Sequence, residues 1–320
     1  MSHAHHEHVE GHDEHDHDHN HEFGPLAELV TLRDWLRYAV TRFNREELFF
    51  GHGCGNAYDE AVWLLWRSLH LPLDQLEPFL DAGLMADERT MLSEMIERRV
   101  RERIPVAYLL NEAWLGDFHF YVDERVIVPR SFCAELLGEG LEPWIEDAFV
   151  VESALDLCTG SGCLAVIMAH CFPAATIVAS DISPDALAVA GRNVADYGLE
   201  QRIERVESDV FGELGGRRFD LIVANPPYVT STAMAALPAE FLHEPRMALA
   251  AGDDGLDIVR RILTEAHQHL NDGGVMLVEV GHIRPQVEAA FPHLPLVWLT
   301  TEESEDMVFL VRAEDLVDLQ

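Results

Sequence analysis

The feature that most constrains the fold is a regular alternation of short apolar runs with longer amphipathic stretches between residues 153 and 312. Such alternation is typical of strand–helix–strand units, in which successive strands lie parallel in one sheet and helices cover both faces. The runs that predict strands lie at about 153–158, 175–181, 203–209, 219–225, 274–281, 296–301 and 306–312. Only a short turn separates the last two runs, so those two strands should be antiparallel. The sequence therefore predicts a doubly wound α/β domain with seven strands.

The chain before this region has helical periodicity instead. Apolar residues recur there at three- and four-residue spacing, which places them on one face of a helix. The first such series is Leu29, Leu32, Leu36, Ala39 and Phe43. Four or five helices fit between residues 26 and 103, and Pro105 should end the last of them.

A third pattern lies between these two regions. Aromatic and β-branched residues over 113–128, with Asp123-Glu124-Arg125 as the expected turn, predict a β-hairpin. The changes of pattern give the expected domain boundaries. We predict a helical domain at 23–110, a hairpin linker at 111–130 and a catalytic domain at 131–320.

Residues 1–22 form a low-complexity segment in which nine histidines alternate with seven acidic residues. Such a segment cannot bury a core, so a disordered tail is expected. Two interpretations stay open: weak binding of zinc, nickel or copper through imidazole groups, or a solvated tail without a role in catalysis. No fixed metal site is predicted, since the five cysteines are irregularly spaced.

Charge and residue usage exclude several classes of protein. The formal net charge is −35, and all 22 basic residues are arginines. Without lysine, Walker-A, Schiff-base and pyridoxal-phosphate chemistry are excluded. The absence of a cationic track argues against direct nucleic-acid binding, whereas an acidic surface suits a basic protein partner. The polar N-terminus and the lack of a long apolar run predict neither a secretory signal nor a membrane span, so the expected location is the cytoplasm.

A ligand-binding turn follows the first strand of the predicted sheet. The motif Asp156-Leu157-Cys158-Thr159-Gly160-Ser161-Gly162 leads from a strand into an apolar helix, so its backbone amides can approach a nucleotide-like ligand. Asp181 ends the next strand, 21 residues beyond Gly160, where an acid can bind both ribose hydroxyls. NAD and S-adenosylmethionine both satisfy this pattern.

The third strand ends in Asp209-Val210-Phe211. Asp209 is a candidate partner of an adenine amino group, with Val210 or Phe211 against the ring. An acid at a strand end and a core aromatic residue explain these positions equally well.

The discriminating motif is Asn225-Pro226-Pro227-Tyr228, directly after the fourth strand. Two prolines cannot continue a sheet, so they impose a rigid turn at the strand's carboxyl end. That turn should present the Asn225 side chain and the Pro226 carbonyl to the cofactor pocket. A dehydrogenase would need no such turn.

This turn resembles that of class I methyltransferases acting on planar nitrogen, namely DNA adenine and protein glutamine methyltransferases. The resemblance to the glutamine enzymes covers about residues 90–312. It is carried by Arg103-Ile104-Pro105-Val106-Ala107-Tyr108, by residues 120–130, by Glu244-Pro245 with Ala248-Leu249 and Gly252-x-x-Gly255-Leu256, and by Glu279-Val280-Gly281. Within the glutamine branch, Pro129-Arg130-Ser131 and the sequence of the glycine turn resemble the sub-family that methylates large-subunit ribosomal protein L-three.

The resemblance implies a Rossmann-like fold, S-adenosylmethionine as cofactor and ribosomal protein L-three as substrate. The resemblance also implies which residues form the site. Those expected to bind the cofactor are Asp156, Cys158, Thr159, Gly160, Ser161, Gly162, Asp181, Asp209, Val210, Phe211 and Asn225. The substrate amide is expected to contact Asn225, Pro226, Pro227 and Tyr228, of which Asn225, Pro226 and Tyr228 are assigned to catalysis. Methylation of release factors, or of nucleic-acid adenine, is the alternative.

Overall fold

The computed structural model describes residues 26–302 and 304–319. The predicted histidine-rich tail at 1–22 lies outside the described residues. None of the helices described is long and apolar enough to cross a membrane.

The N-terminal region is helical, as its periodicity predicts. Its helices are α1 (Leu32–Arg45), α2 (Ala57–Ser68), α3 (Glu77–Leu80), α4 (Ala86–Glu97) and α5 (Val106–Leu110). Helix α1 begins at a capping box, in which the Thr31 hydroxyl accepts from the Asp34 amide and the Asp34 carboxylate accepts from the Thr31 amide. Helix α4 continues into a π-helical turn, Arg98–Glu102, a distortion that is often found at functional sites.

The hairpin is shorter than predicted and its turn lies elsewhere. Strands β1 (Ala113–Leu115) and β2 (Phe118–Phe120) pair antiparallel around Gly116 and Asp117. The predicted turn, Asp123-Glu124-Arg125, is therefore wrong as a hairpin turn. Its residues form a local turn after the hairpin, because the Asp123 carboxylate accepts from the Arg125 amide and guanidinium. The Arg125 guanidinium also lowers the pKa of Asp123 to about 2.

The rest of the chain forms the predicted α/β sheet. Its strands are β3 (Ser153–Leu157), β4 (Thr176–Asp181), β5 (Ile203–Glu207), β6 (Phe219–Ala224), β7 (Leu270–Glu279), β8 (Val297–Thr300) and β9 (Glu305–Arg312). Its helices are α6 (Cys133–Gly138), α7 (Cys163–Cys171), α8 (Pro184–Asp196), α9 (Ser231–Met234), α10 (Asp257–Glu265) and α11 (Arg284–Ala290).

The strand order is β5-β4-β3-β6-β7-β9-β8. Strands β3 to β7 are parallel, and β9 runs antiparallel to both β7 and β8. The predicted seven strands and the antiparallel final pair are both confirmed. The order reverses between β3 and β6, so a crevice opens there at the carboxyl ends of the strands.

The helical region shares its apolar core with its neighbours. Trp35, Phe43 and Trp66 are fully buried in one cluster that also contains three valines of the segment after the hairpin and two residues of α8. These additional members are Val122, Val126, Val128, Ala186 and Val189. The helices are therefore packed against the part of the sheet domain that borders the crevice.

Candidate active site

A cavity of about 540 Å³ lies at the carboxyl ends of the central strands. It occupies the crevice at which open α/β sheets bind ligands. Seven of the residues predicted for the site line it together: Cys158, Gly160, Asp181, Asp209, Val210, Asn225 and Pro227. Their sequence spacing is explained by the sheet, because each lies at the end of a parallel strand or just beyond it.

The turn after β3 brings backbone to the cavity wall. Gly160 has φ +54, and no atom lies within 4 Å of the position that a Cβ would take. Its open side is therefore available to a ligand. Gly162 has a different role, since a Cβ there would come within 3.0 Å of the Ala190 Cβ in α8.

Asp181 holds this turn against β4. One carboxylate oxygen accepts from the Gly160 amide and the other from the Ser183 amide, both at 2.9 Å. Burial raises the pKa of the carboxyl group. A carboxylate in this position both shapes the glycine turn and offers its remaining lone pairs to the cavity that it lines.

Asp156 lies beneath the turn rather than in the cavity wall. It is buried, and its Oδ2 accepts from the Thr159 hydroxyl and the Ala165 amide. Its Oδ1 is buried and has no hydrogen-bond partner among the residues described. Burial raises the pKa of the carboxyl group to about 7. Thr159 and Ser161 are also buried, so neither side chain lines the cavity.

The third strand contributes Asp209 and Val210 but not Phe211. The Asp209 carboxylate lines the cavity and accepts from the Arg261 guanidinium at 2.8 Å. Phe211 is buried and stacks on His269, with the ring centroids 4.5 Å apart. Of the two apolar candidates, Val210 is therefore the one that lines the cavity, and the predicted contact of Phe211 with a cofactor has no support in this geometry.

The Asn225–Tyr228 turn borders the same cavity. Asn225 and Pro227 line it, whereas Pro226 is buried. Tyr228 packs so closely over Gly281 that a Cβ there would lie 2.6 Å from the ring, which explains the glycine after β7. Burial raises the pKa of the Tyr228 hydroxyl, and neither Pro226 nor Tyr228 is among the described residues that line the cavity.

The rest of the lining, hereafter the second wall, includes two segments that sequence reasoning did not assign to the site. The first is 124–127, and the second contributes Pro245, Met247, Ala248 and Ala250. The second segment is joined to the turn, because Val229 donates to the Leu249 carbonyl at 2.8 Å and accepts from the Ala251 amide at 3.0 Å. Both segments belong to the motifs that carry the family resemblance, and these motifs were the signal by which the sequence could have assigned them to the site.

Buried ion pairs hold this second wall. The Arg130 guanidinium donates to Glu244 at 2.7 Å, and the Val128 amide donates to the same carboxylate at 3.0 Å. Burial alone would raise the pKa of Glu244, but contacts with His52 and Arg130 outweigh it and hold the pKa at about 2. The carboxylate therefore stays ionised.

A second ion-pair cluster lies between the helical region and the segment at 239–244. Arg99, in the π-helical turn, donates to Glu60 at 2.6 Å and to Glu240 at 3.2 Å. Glu240 also accepts from the Phe49 amide at 3.1 Å. All three charged side chains are almost completely buried. The helical region is therefore connected to the second wall through charges that must remain paired.

Comparison with known proteins agrees with this geometry. The family model described as "Methyltransferase small domain" matches residues 134–254. A ribosomal protein uL3 glutamine methyltransferase of Neisseria gonorrhoeae is 57% identical over 91% of this chain and 97% of its own length. The protein of the same name from Bordetella pertussis is 54% identical over 90% and 97%, and that from Bradyrhizobium diazoefficiens 50% over 90% and 92%.

Among solved structures, a ribosomal protein L11 methylase from Lactobacillus delbrueckii subsp. bulgaricus is similar at 19% identity and a TM-score of 0.41, over 60% of this chain and 82% of that one. The family follows from the sequence relatives, whose identity and coverage are high. The sub-family predicted from the Pro129-Arg130-Ser131 motif and the glycine turn is confirmed. The chain is a methyltransferase and belongs to the family of ribosomal protein uL3 glutamine methyltransferases.

Proposed function

We propose that this chain transfers a methyl group from S-adenosylmethionine to the side-chain amide nitrogen (N5) of a glutamine in ribosomal protein uL3. The observation that carries the proposal is the Asn225–Tyr228 turn, whose Asn225 and Pro227 border a cavity built by the glycine turn and Asp181. Family membership supplies the substrate. A ribosomal substrate also fits action in the cytoplasm.

The residues around the cavity fit S-adenosylmethionine. Asp181 has the position and charge to bind the ribose hydroxyls, and the open side of Gly160 admits the ligand close to backbone. Beneath the turn, the unpartnered Oδ1 of Asp156 is left to accept a hydrogen bond, through water, from the ammonium group of an amino-acid moiety. Asp209 and Val210 are the candidates for the adenine. When bound, this cofactor supplies a methyl group on a positively charged sulfur.

The chemical difficulty is that an amide nitrogen is a poor nucleophile, since its lone pair is delocalised into the carbonyl. We assign to the Asn225 side-chain oxygen and the Pro226 carbonyl the two hydrogen bonds from the substrate amide. Two acceptors define the plane of the amide, and Tyr228 would pack on its face. Orientation of this kind can lower a barrier by roughly 7–11 kcal/mol, and acceptors aimed at nitrogen stabilise its developing positive charge. The proton can leave after transfer, so no dedicated base is required.

Protein substrates are favoured over nucleic acid by charge. The chain carries −35 and lacks the cationic track that phosphates require. A ribosomal protein contacts anionic RNA, and the basic residues that make such contacts would complement this acidic surface. We assign the helical domain, residues 23–110, to recognition of that protein.

The test is incubation with labelled S-adenosylmethionine and either uL3 or a peptide release factor, followed by mass spectrometry of the labelled peptide. We expect one methyl group on a glutamine side chain of uL3, and no label on a uL3 variant with that glutamine replaced by alanine. Label on the release factor alone would assign the chain to a different substrate. Label on RNA in an assembling ribosome would indicate nucleic-acid methylation.

A further inference from the structure

We propose that residues 239–250, hereafter the docking segment, form a surface that binds the stretch of uL3 next to the target glutamine. The contact is made through the outward-facing Leu242 and Met247. This inference rests on the proposed function and deepens it by locating where the substrate chain is held.

The docking segment exposes apolar side chains beside the cavity. Leu242 is 72% exposed, more than any other large apolar residue in the described part of the chain, and Met247 is 53% exposed. Phe49, which is 41% exposed, packs against Phe241 of the segment, with the ring centroids 5.4 Å apart and the rings inclined by 55°. Apolar side chains grouped at the edge of a cavity are typical of a binding surface.

The inner face of the same segment is held in place by polar contacts. Glu240 pairs with Arg99 at 3.2 Å, and Glu244 pairs with Arg130 at 2.7 Å. Between them, the His243 ring is 2.7 Å from the Glu102 carbonyl. Buried carboxylates remain stable only while they are paired, so the segment keeps one conformation. A surface organised in advance loses little conformational entropy when it binds.

The segment also connects directly with the chemistry. Met247 and Asn225 line the same cavity. Two hydrogen bonds join Val229, the residue after the Asn-Pro-Pro-Tyr turn, to Leu249 and Ala251. We therefore place the residues next to the substrate glutamine along this segment, where successive residues of an extended chain, spaced about 3.3 Å apart, would contact Met247 and then Leu242.

The net charge of the protein indicates which partner binds the docking segment. A chain of net charge −35 is repelled by anionic membrane surfaces and by a second copy of itself. A basic RNA-binding protein is attracted, which brings it to the acidic surface before the apolar contacts form. We therefore infer that the docking segment binds an apolar side chain of uL3 within a few residues of the glutamine.

The experiment compares Leu242→Ser with Phe149→Ser in the full-length enzyme. Phe149 is 65% exposed and precedes β3, so it lies at the amino end of the strands, opposite the cavity. We expect Leu242→Ser to raise KM for uL3 about tenfold, because a buried leucine contact is lost. The kcat and the Kd for S-adenosylmethionine should stay near the wild-type values. Leu242→Met should recover most of the affinity, and Phe149→Ser should behave as wild type.

An equal KM for Leu242→Ser and Phe149→Ser would overturn the docking surface while leaving the proposed function intact. A parallel rise in the Kd for S-adenosylmethionine would also overturn it, since the side chain would then act through the cofactor. If the wild-type enzyme puts no methyl group on uL3, the proposed function fails, and the docking surface fails with it. The wild-type arm therefore distinguishes the two failures.

Discussion

The two walls of the cavity are built in different ways. The first wall consists of strand ends: the glycine turn after β3, Asp181 at the end of β4 and Asn225 after β6. The second wall consists of two segments without strand structure, and buried ion pairs from the linker and the helical region hold it. A parallel sheet thus places the residues of the first wall, whereas long-range charge pairing places those of the second.

The largest effect should come from the first wall. Asn225→Ala removes an acceptor for the substrate amide, so we expect kcat to fall about a thousandfold with cofactor affinity largely retained. Asp181→Ala is the matched variant on the same wall. It removes the proposed ribose contact and should weaken cofactor binding about tenfold or more. Calorimetric titration with the cofactor and steady-state rates separate the two roles, and a near wild-type rate for Asn225→Ala would refute the proposed orientation of the amide.

The next largest effect should come from the ion pairs that hold the second wall, and it should appear as a loss of stability. Arg99→Met leaves Glu60 and Glu240 without their buried guanidinium, which should cost about 3 kcal/mol of unfolding free energy. Arg101→Met, in the same π-helical turn, is the control. Its side chain is 77% exposed and, among the described residues, forms an ion pair with Glu97 alone, so the change should stay within about 0.5 kcal/mol. Urea unfolding measures both, and equal losses would show that burial of the charge is unimportant.

The smallest effect concerns a buried carboxyl group at the end of β7. Glu279 is buried at the end of β7 and accepts from the Ser131 hydroxyl and the Phe132 amide through one oxygen. Burial raises its pKa to about 7. The folded state therefore binds a proton more tightly than the unfolded chain, and the stability from this group is present below about pH 4.5 and falls as pH rises through 7.

Glu279→Gln keeps an oxygen acceptor and removes this titration. We expect the loss of stability between pH 5 and pH 8 to be about 2 kcal/mol smaller in the variant. Asp156 titrates in the same range, so part of the wild-type slope should remain. Urea unfolding at the two pH values provides the comparison. An unchanged slope would mean that the carboxyl group is ionised throughout.

The difference between the walls also explains what could be predicted from sequence. Apolar periodicity identified the seven strands, and topology then brought their ends together. In contrast, Arg99 and Glu240 are 141 residues apart, and Arg130 and Glu244 are 114 apart. Among 57 acidic residues and 22 arginines, no periodic pattern shows which ones pair.

Two smaller errors of the sequence-based prediction share one physical origin. The valines after the hairpin have the composition of a strand, but Val122, Val126 and Val128 are buried in the core of the helical region instead of pairing in a sheet. Phe211 follows Val210, and a positive φ at Val210 separates the directions of the two side chains. In both cases tertiary packing overrides the local preference.

The shared core has a consequence for how the protein folds. Val126 and Val128 of the linker and Ala186 and Val189 of α8 are buried together with the tryptophans of α1 and α2. Removing the helical region would expose a broad apolar surface on this side of the methyltransferase domain, and such a surface favours aggregation. The two parts should therefore unfold together in one cooperative transition. A fragment that starts at residue 131 should aggregate on its own.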